Sequence, residues 1–391
     1  MRYPTDRGRF AFPLLLAILV YFAGCTGVPS TTQSSSTTQS SACSGCQFVY
    51  ATTNSGPLLD FPITSTGGLG APTSIAGPAG STGLITLSPS GAAQQLDLYV
   101  SDPQNRAIRV YTISSVDGRL LPASVGPFPL GSGNGTPGEM VLIGAVLYVA
   151  NSAGSITAFN VNGDGSLTSV AGSPFAAGGG LSHLAVTPSS TVPNTTFLYA
   201  ANTADPRGSI SAFNVTPSGR LLPVPGSPFA TRSGAGPEGF YSSGQYLYVA
   251  LQNANAVAAF TIGNDGSLTA LPGSPYPAGG GTFSLNGANG FLFATNNLAG
   301  TISSYRIDPS SGILTPIGVS LPSGSVASGD TLYANGNLFV PDASSLTIEG
   351  FETDPNTGEV RLLPGSPFPA SAGPLALALV VFPVVDSTGG N

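Results

Sequence analysis

The chain has 391 residues, of which 53 are Gly and 35 Pro, yet 41% remain hydrophobic. Breakers at that density exclude long helices and leave many short strands joined by tight turns, while the apolar content is too high for disorder. There is no Lys or Trp, and 11 Arg face 18 acids for a net charge of −7, so no basic field exists to offset the phosphates of a nucleic acid.

At the N-terminus Arg2, Arg7 and Arg9 precede an apolar stretch over 10–22. That stretch is too short for a bilayer core of about 30 Å, which needs roughly 20 helical residues. Phe22-Ala23-Gly24-Cys25 resembles the bacterial lipobox, so residues 1–24 read as a signal peptide and Cys25 as the lipidation site. Phe22 stands where Leu is usual, which keeps a plain signal peptide or an uncleaved anchor as alternatives. Thr26 after the Cys points to an outer membrane in a two-membrane envelope. The expected location is therefore outside the cytoplasm, lipid-anchored to the envelope.

Residues 25–46 are rich in Ser, Thr and Gln with little to bury, and read as a tether. Cys43 and Cys46 close it as a C-x-x-C pair. In an oxidising compartment the expectation is a small local disulfide. Structural zinc would need four ligands, which the lone His of the chain cannot complete, and a redox role lacks a helix start.

From residue 47 the sequence repeats. An aromatic recurs at Tyr50, Tyr99, Tyr148, Tyr199, Tyr248, Phe293 and Phe339, 45 to 51 residues apart. A second follows each after 11 to 14 residues, at Phe61, Tyr111, Phe159, Phe213, Phe260, Tyr305 and Phe351. Most units then carry a turn such as Asp117-Gly118, Asp164-Gly165 or Asp265-Gly266, which predicts hairpins with both central residues at positive φ. Many units end in Gly-Ser-Pro-aromatic, from Gly172, Gly226, Gly273 and Gly365. Pro cannot donate to a ladder, so these segments belong on outer edges or blade connectors. An apolar segment before each first aromatic completes four strands per unit, several of them apolar on both faces. Such sheets can hide both faces only by packing side by side in a ring.

The expected fold is therefore all-β: a seven-bladed propeller of four-stranded antiparallel blades over 47–385, with a tail over 386–391. The first unit lacks its leading strand and the chain ends with a spare one, so strand 375–385 is expected to be the innermost strand of the first blade. The aromatics read as inter-blade packing. Asp354-Pro355-Asn356-Thr357-Gly358 is the segment most like a calcium loop, but it reads as a plain turn, because converging oxygen ligands at alternating positions are missing.

Polar residues interrupt the repeat where innermost strands begin. Aligned on the first aromatic, Glu139, His183, Glu238 and Asp330 fall at near-equivalent places in four units, and Arg232 lies in the connector before the fifth. If they converge, His183 acts as acid or base, Glu139 and Glu238 raise its pKa, and Arg232 and Asp330 bind ligand. The bland reading is a set of solvated channel residues.

The repeats Leu-Tyr-Val-Ala-Asn, Ile-x-Ala-Phe-x-Val, Asp-Gly-Ser-Leu and Gly-Ser-Pro-Phe resemble the lactonase-type seven-bladed propellers, a family with members similar to 6-phosphogluconolactonase and the carboxymuconate-lactonizing enzymes. The resemblance spans 48–385. It implies His, Arg and Glu in the central channel, often with a Gly-Pro-Arg-His run. Here the matching run is Gly236-Pro237-Glu238-Gly239, so Arg and His are replaced. The leading expectation is a binding or scaffold module with its ligand, a small molecule or an envelope protein, at the channel. The alternative is a lactone hydrolase using His183 as general base. No cofactor is expected, because the Trp docking repeat of quinoprotein propellers is missing.

Overall fold

The computed structural model describes residues 44–87, 96–190, 192–206, 208–231, 234–317, 321–322 and 329–382. All belong to the compact unit Gln39–Asn391. Among the described residues every regular element is a β-strand, arranged in seven antiparallel sheets. The seven innermost strands are Pro374–Val381, Leu84–Leu87, Pro137–Ile143, Leu181–Pro188, Pro237–Ser243, Thr282–Ala288 and Leu332–Ala334, belonging to blades 1 to 7 in that order. Each packs against its two neighbours and the last returns to the first, which closes the ring.

The latch forms as the sequence implies. Pro374–Val381 pairs antiparallel with Gln47–Thr53, setting Ala378 opposite Tyr50 and Val380 opposite Phe48. Blade 1 is thus built from both ends of the ring-forming chain. Its closing strand is bonded through Val381, whereas the sequence placed its end at residue 385, which lies outside the described residues.

Each blade buries its aromatics against the next. Tyr50, Tyr99, Tyr148, Tyr199 and Tyr248 are fully buried, and their hydroxyls donate to the carbonyls of Gly118, Gly165, Gly219, Gly266 and Gly312 in the following blade at 2.5 to 3.0 Å. A buried phenol needs such a partner, and so do the turn carbonyls. Those turns differ from the expected hairpin type. Gly165 has φ 80°, but Asp164 is not at positive φ. Asp164 instead accepts the Ser166 N–H at 3.0 Å, in a loop where Gly165 N–H returns to Asn162 O. One left-handed residue therefore suffices, as in a type I turn followed by a bulge. In the same way Asp354 accepts the N–H groups of Asn356 and Thr357 at 2.8 and 3.0 Å, the work of a plain turn.

The outer edge departs from four plain strands in blades 2 to 7, where two short segments pair with different parts of the third strand. In blade 4, Leu221–Pro223 covers one end of Ser209–Val215 and Phe229–Ala230 the other. The Gly-Ser-Pro run fills the gap between them. Its Ser227 Oγ accepts the Ala212 N–H at 2.9 Å, and Ser173, Ser274 and Ser366 do the same for Ala158, Ala259 and Gly350. The motif thus satisfies a backbone donor that the broken edge strand cannot reach.

Candidate functional site

Because every innermost strand enters from the same face, residues at its start share one level of the channel. Four of the five residues singled out in the channel converge there. His183 is the third residue of Leu181–Pro188, Glu139 the third of Pro137–Ile143 and Glu238 the second of Pro237–Ser243. Asp330 precedes Leu332–Ala334 and is held by its own N–H on Leu375 O at 3.1 Å.

His183 is buried and both ring nitrogens are engaged. Nδ1 lies 3.1 Å from Glu238 Oε2 and 3.0 Å from Ser182 Oγ, and Nε2 lies 2.9 Å from Asp330 Oδ1. Since blade 7 stands across the ring from blade 4, the His183–Asp330 contact bridges the channel. Phe283 of blade 6 meets the imidazole edge-on, with centroids 5.3 Å apart. Glu139 Oε2 accepts the Leu184 N–H at 2.6 Å, beside the histidine on the blade 3 side.

Charge decides which protons are present. Burial disfavours a charged His183, but Asp330, Glu238 and Glu139 outweigh it and hold its pKa well above the usual 6.5. Both imidazole nitrogens then donate, to Glu238 and Asp330. Glu139 is pushed the other way from an ordinary acid: burial lifts it to about 7, with His183 opposing and Asp330 adding to the rise. Of the acid and base roles the sequence left open to His183, a raised pKa favours the acid. The residue poised to exchange a proton there is Glu139.

Arg232, Cys25 and Cys43 lie outside the described residues, as do the signal segment, nearly all of the tether and the tail. Cys46 is disulfide-bonded. Arg109 pairs with the buried Asp102 of its own blade at 2.6 Å. Among the described residues no Arg pairs with the channel cluster. No group of three metal-ligating side chains is placed to hold an ion among them either.

Sequence reading missed Ser182 and Thr203. Ser182 Oγ donates to Glu238 Oε2 at 2.7 Å and lies 2.7 Å from Thr203 Oγ1, whose hydroxyl reaches Pro237 O. The signal was a hydroxyl directly before the lone histidine. Gly239 has a steric reason for standing where the related run carries His. A Cβ there would lie 2.7 Å from the Phe283 carbonyl oxygen in the adjacent blade.

The sequence model of the family "Lactonase, 7-bladed beta-propeller" matches residues 229–328. The chain resembles that family. No curated protein matches. Among solved structures, a Bacteroides fragilis protein provisionally named a 6-phosphogluconolactonase has TM-score 0.71 at 21% identity, covering 89% of this chain and 100% of its own. A Bacteroides uniformis protein of the same provisional name has 0.70 at 18%, covering 86% and 100%. The Pseudomonas aeruginosa periplasmic gluconolactonase has 0.65 at 19%, covering 86% and 100%. These likenesses establish the seven-bladed lactonase-like fold.

Proposed function

We propose that the channel cluster opens a small lactone by hydrolysis. The observation that carries this reading is the convergence of His183 with Glu238, Asp330 and Glu139 from four blades at one level of the channel. The family resemblance supports the same reaction class.

In the reaction a water oxygen bonds to the lactone carbonyl carbon and the acyl bond to the ring oxygen breaks. One water proton passes to a base, and the ring oxygen takes a proton, giving the hydroxy acid. Glu139, with a pKa of about 7, suits the base, since a base works best when its pKa is near ambient pH. His183, kept protonated by its carboxylates, suits the donor that stabilises charge growing on the substrate oxygens. Ser182 and Glu238 hold its ring. The rate should rise as pH passes about 7 and Glu139 ionises, then fall at higher pH as His183 loses its proton.

The test is a lactone panel followed by ring-opening titration, with His183→Ala and Glu139→Gln. Both variants should lose about 100-fold or more in kcat/KM, the usual worth of a positioned proton-transfer group, and Glu139→Gln should also lose the rise near pH 7. Absence of turnover on every lactone would leave the second reading, a binding module for a small molecule or an envelope protein. Two observations favour that reading: both His183 nitrogens are already occupied, and Gly239 stands in place of the related His. In either case the N-terminal signal and Cys25 support a propeller tethered outside the cytoplasm.

A further inference from the structure

Next to the His183 layer the channel wall forms an open-sided chamber of about 270 Å³, the room of about nine liquid waters at ~30 Å³ each. Its wall is made by residues 184–186 of blade 4, 240–242 of blade 5 and 285–286 of blade 6. At ~3.3 Å per residue the blade 4 part lies roughly 3 to 10 Å deeper than His183.

Three features define what the chamber would hold. None of its lining residues is ionisable below the range of a phenol, Tyr241 being the sole titratable side chain, and burial pushes that hydroxyl up. The innermost strands pair on one edge only, so their other edge presents peptide N–H and C=O groups to the channel; the Leu184 N–H is spent on Glu139, and the remaining groups seek partners. Ser242 adds a hydroxyl, and Asn286, whose Nδ2 is spent on Thr331, offers its amide oxygen; the rings of Phe240 and Tyr241 pack away into the cores on either side of blade 5. Above it stand the carboxylates of Glu139, Glu238 and Asp330 against a single imidazolium, a field that disfavours anions.

We infer that this chamber, which adjoins the hydrolytic layer through Leu184, is a second binding site for a small uncharged molecule rich in hydroxyl groups. Donors and acceptors in a fixed array match the hydroxyls of a polyol ring. A phosphate or carboxylate would meet no cation among the described residues lining it. The inference stands apart from lactone hydrolysis, because its readout is binding and not turnover.

The test uses D-glucose and myo-inositol as neutral probes, with glucose 6-phosphate and glucosamine as charged probes of similar shape, in calorimetric and ligand-observed NMR titrations of the purified chain. The neutral probes should bind in the millimolar range and the phosphate at least about tenfold more weakly. Ser242→Phe and Val186→Phe fill the chamber from two different blades, so a folding defect in one leaves the other. Each should weaken neutral-probe binding by about tenfold or more while leaving lactone turnover unchanged. Failure of both neutral probes to bind, equal binding of glucose 6-phosphate, or full binding by both folded variants overturns the inference. So does loss of turnover with loss of binding, which would make the chamber part of the hydrolytic site. Absence of turnover in the unmutated chain, with probe binding intact, would count against hydrolysis alone.

Discussion

Glu139→Gln gives the sharpest test of the channel electrostatics, because it reads stability and needs no substrate. Glutamine keeps the shape of the side chain and an oxygen to accept the Leu184 N–H, but it cannot ionise. In the folded chain Glu139 has a pKa of about 7, against an ordinary 4.5. The folded state therefore holds a proton between those values that the unfolded chain releases. The resulting stability is fully present below about pH 4.5 and is lost as pH rises through about 7. A 2.5-unit separation is worth about 3 kcal/mol by pH 7 at 1.36 kcal/mol per unit. Glu139 is only half-buried, so solvent screening should reduce this to about 1–3 kcal/mol. The assay is urea unfolding at pH 5, 6, 7 and 8, with stability compared between wild type and variant at each pH. His183 adds a slope of the same sign, since its raised pKa also stabilises the fold at low pH and loses that effect as pH climbs past it. Because Glu139 is one of the charges that raise His183, part of that slope is lost in the variant and adds to the difference in the same direction. Wild type should lose about 1–3 kcal/mol relative to Glu139→Gln across the series, and coincident curves would refute the claim that burial weakens this acid.

Removing the chain from residue 374 onward deletes the strand that pairs with Gln47–Thr53 and exposes the inner edge of blade 1. The single cooperative unfolding transition should vanish or move to far lower urea, and a truncated chain that melts normally would show that the ring does not need its latch. Tyr248→Phe leaves the Gly312 carbonyl unpaired in a buried inter-blade contact; a loss of about 1–3 kcal/mol is expected from chemical denaturation. Gly239→Ala should cost a similar amount or more, because its Cβ would press on the Phe283 carbonyl. A neutral Gly239→Ala would show that blades 5 and 6 can part to admit a side chain there.

The number of blades and their closure were legible because they are written in local pattern. Aromatics at regular spacing, turns between them, and a strand missing at one end and left over at the other leave a closed ring as the way to bury two-faced sheets. The Gly-Ser-Pro runs were placed on outer edges for the right reason, the missing Pro donor. Their further role, a serine hydroxyl answering the N–H in the gap, depends on where two separate segments pair with one strand. The turn type was misread because Asp-Gly is compatible with two loops, and the side-chain bond from Asp164 to Ser166 settles which one forms.

At the site, sequence alignment of the repeats was enough to place Glu139, His183, Glu238 and Asp330 at one level, since equivalent positions in a ring must share a depth. What the chain by itself determined was therefore the ring, its latch and the candidate residues. Only the tertiary structure decided their states. A histidine followed by nothing acidic in sequence becomes a held imidazolium because carboxylates from blades 5 and 7 meet its two nitrogens. A glutamate becomes a weaker acid because folding takes part of it out of water beside a second carboxylate. Protonation responds to distance and burial, and across a closed ring these bear no relation to separation along the chain.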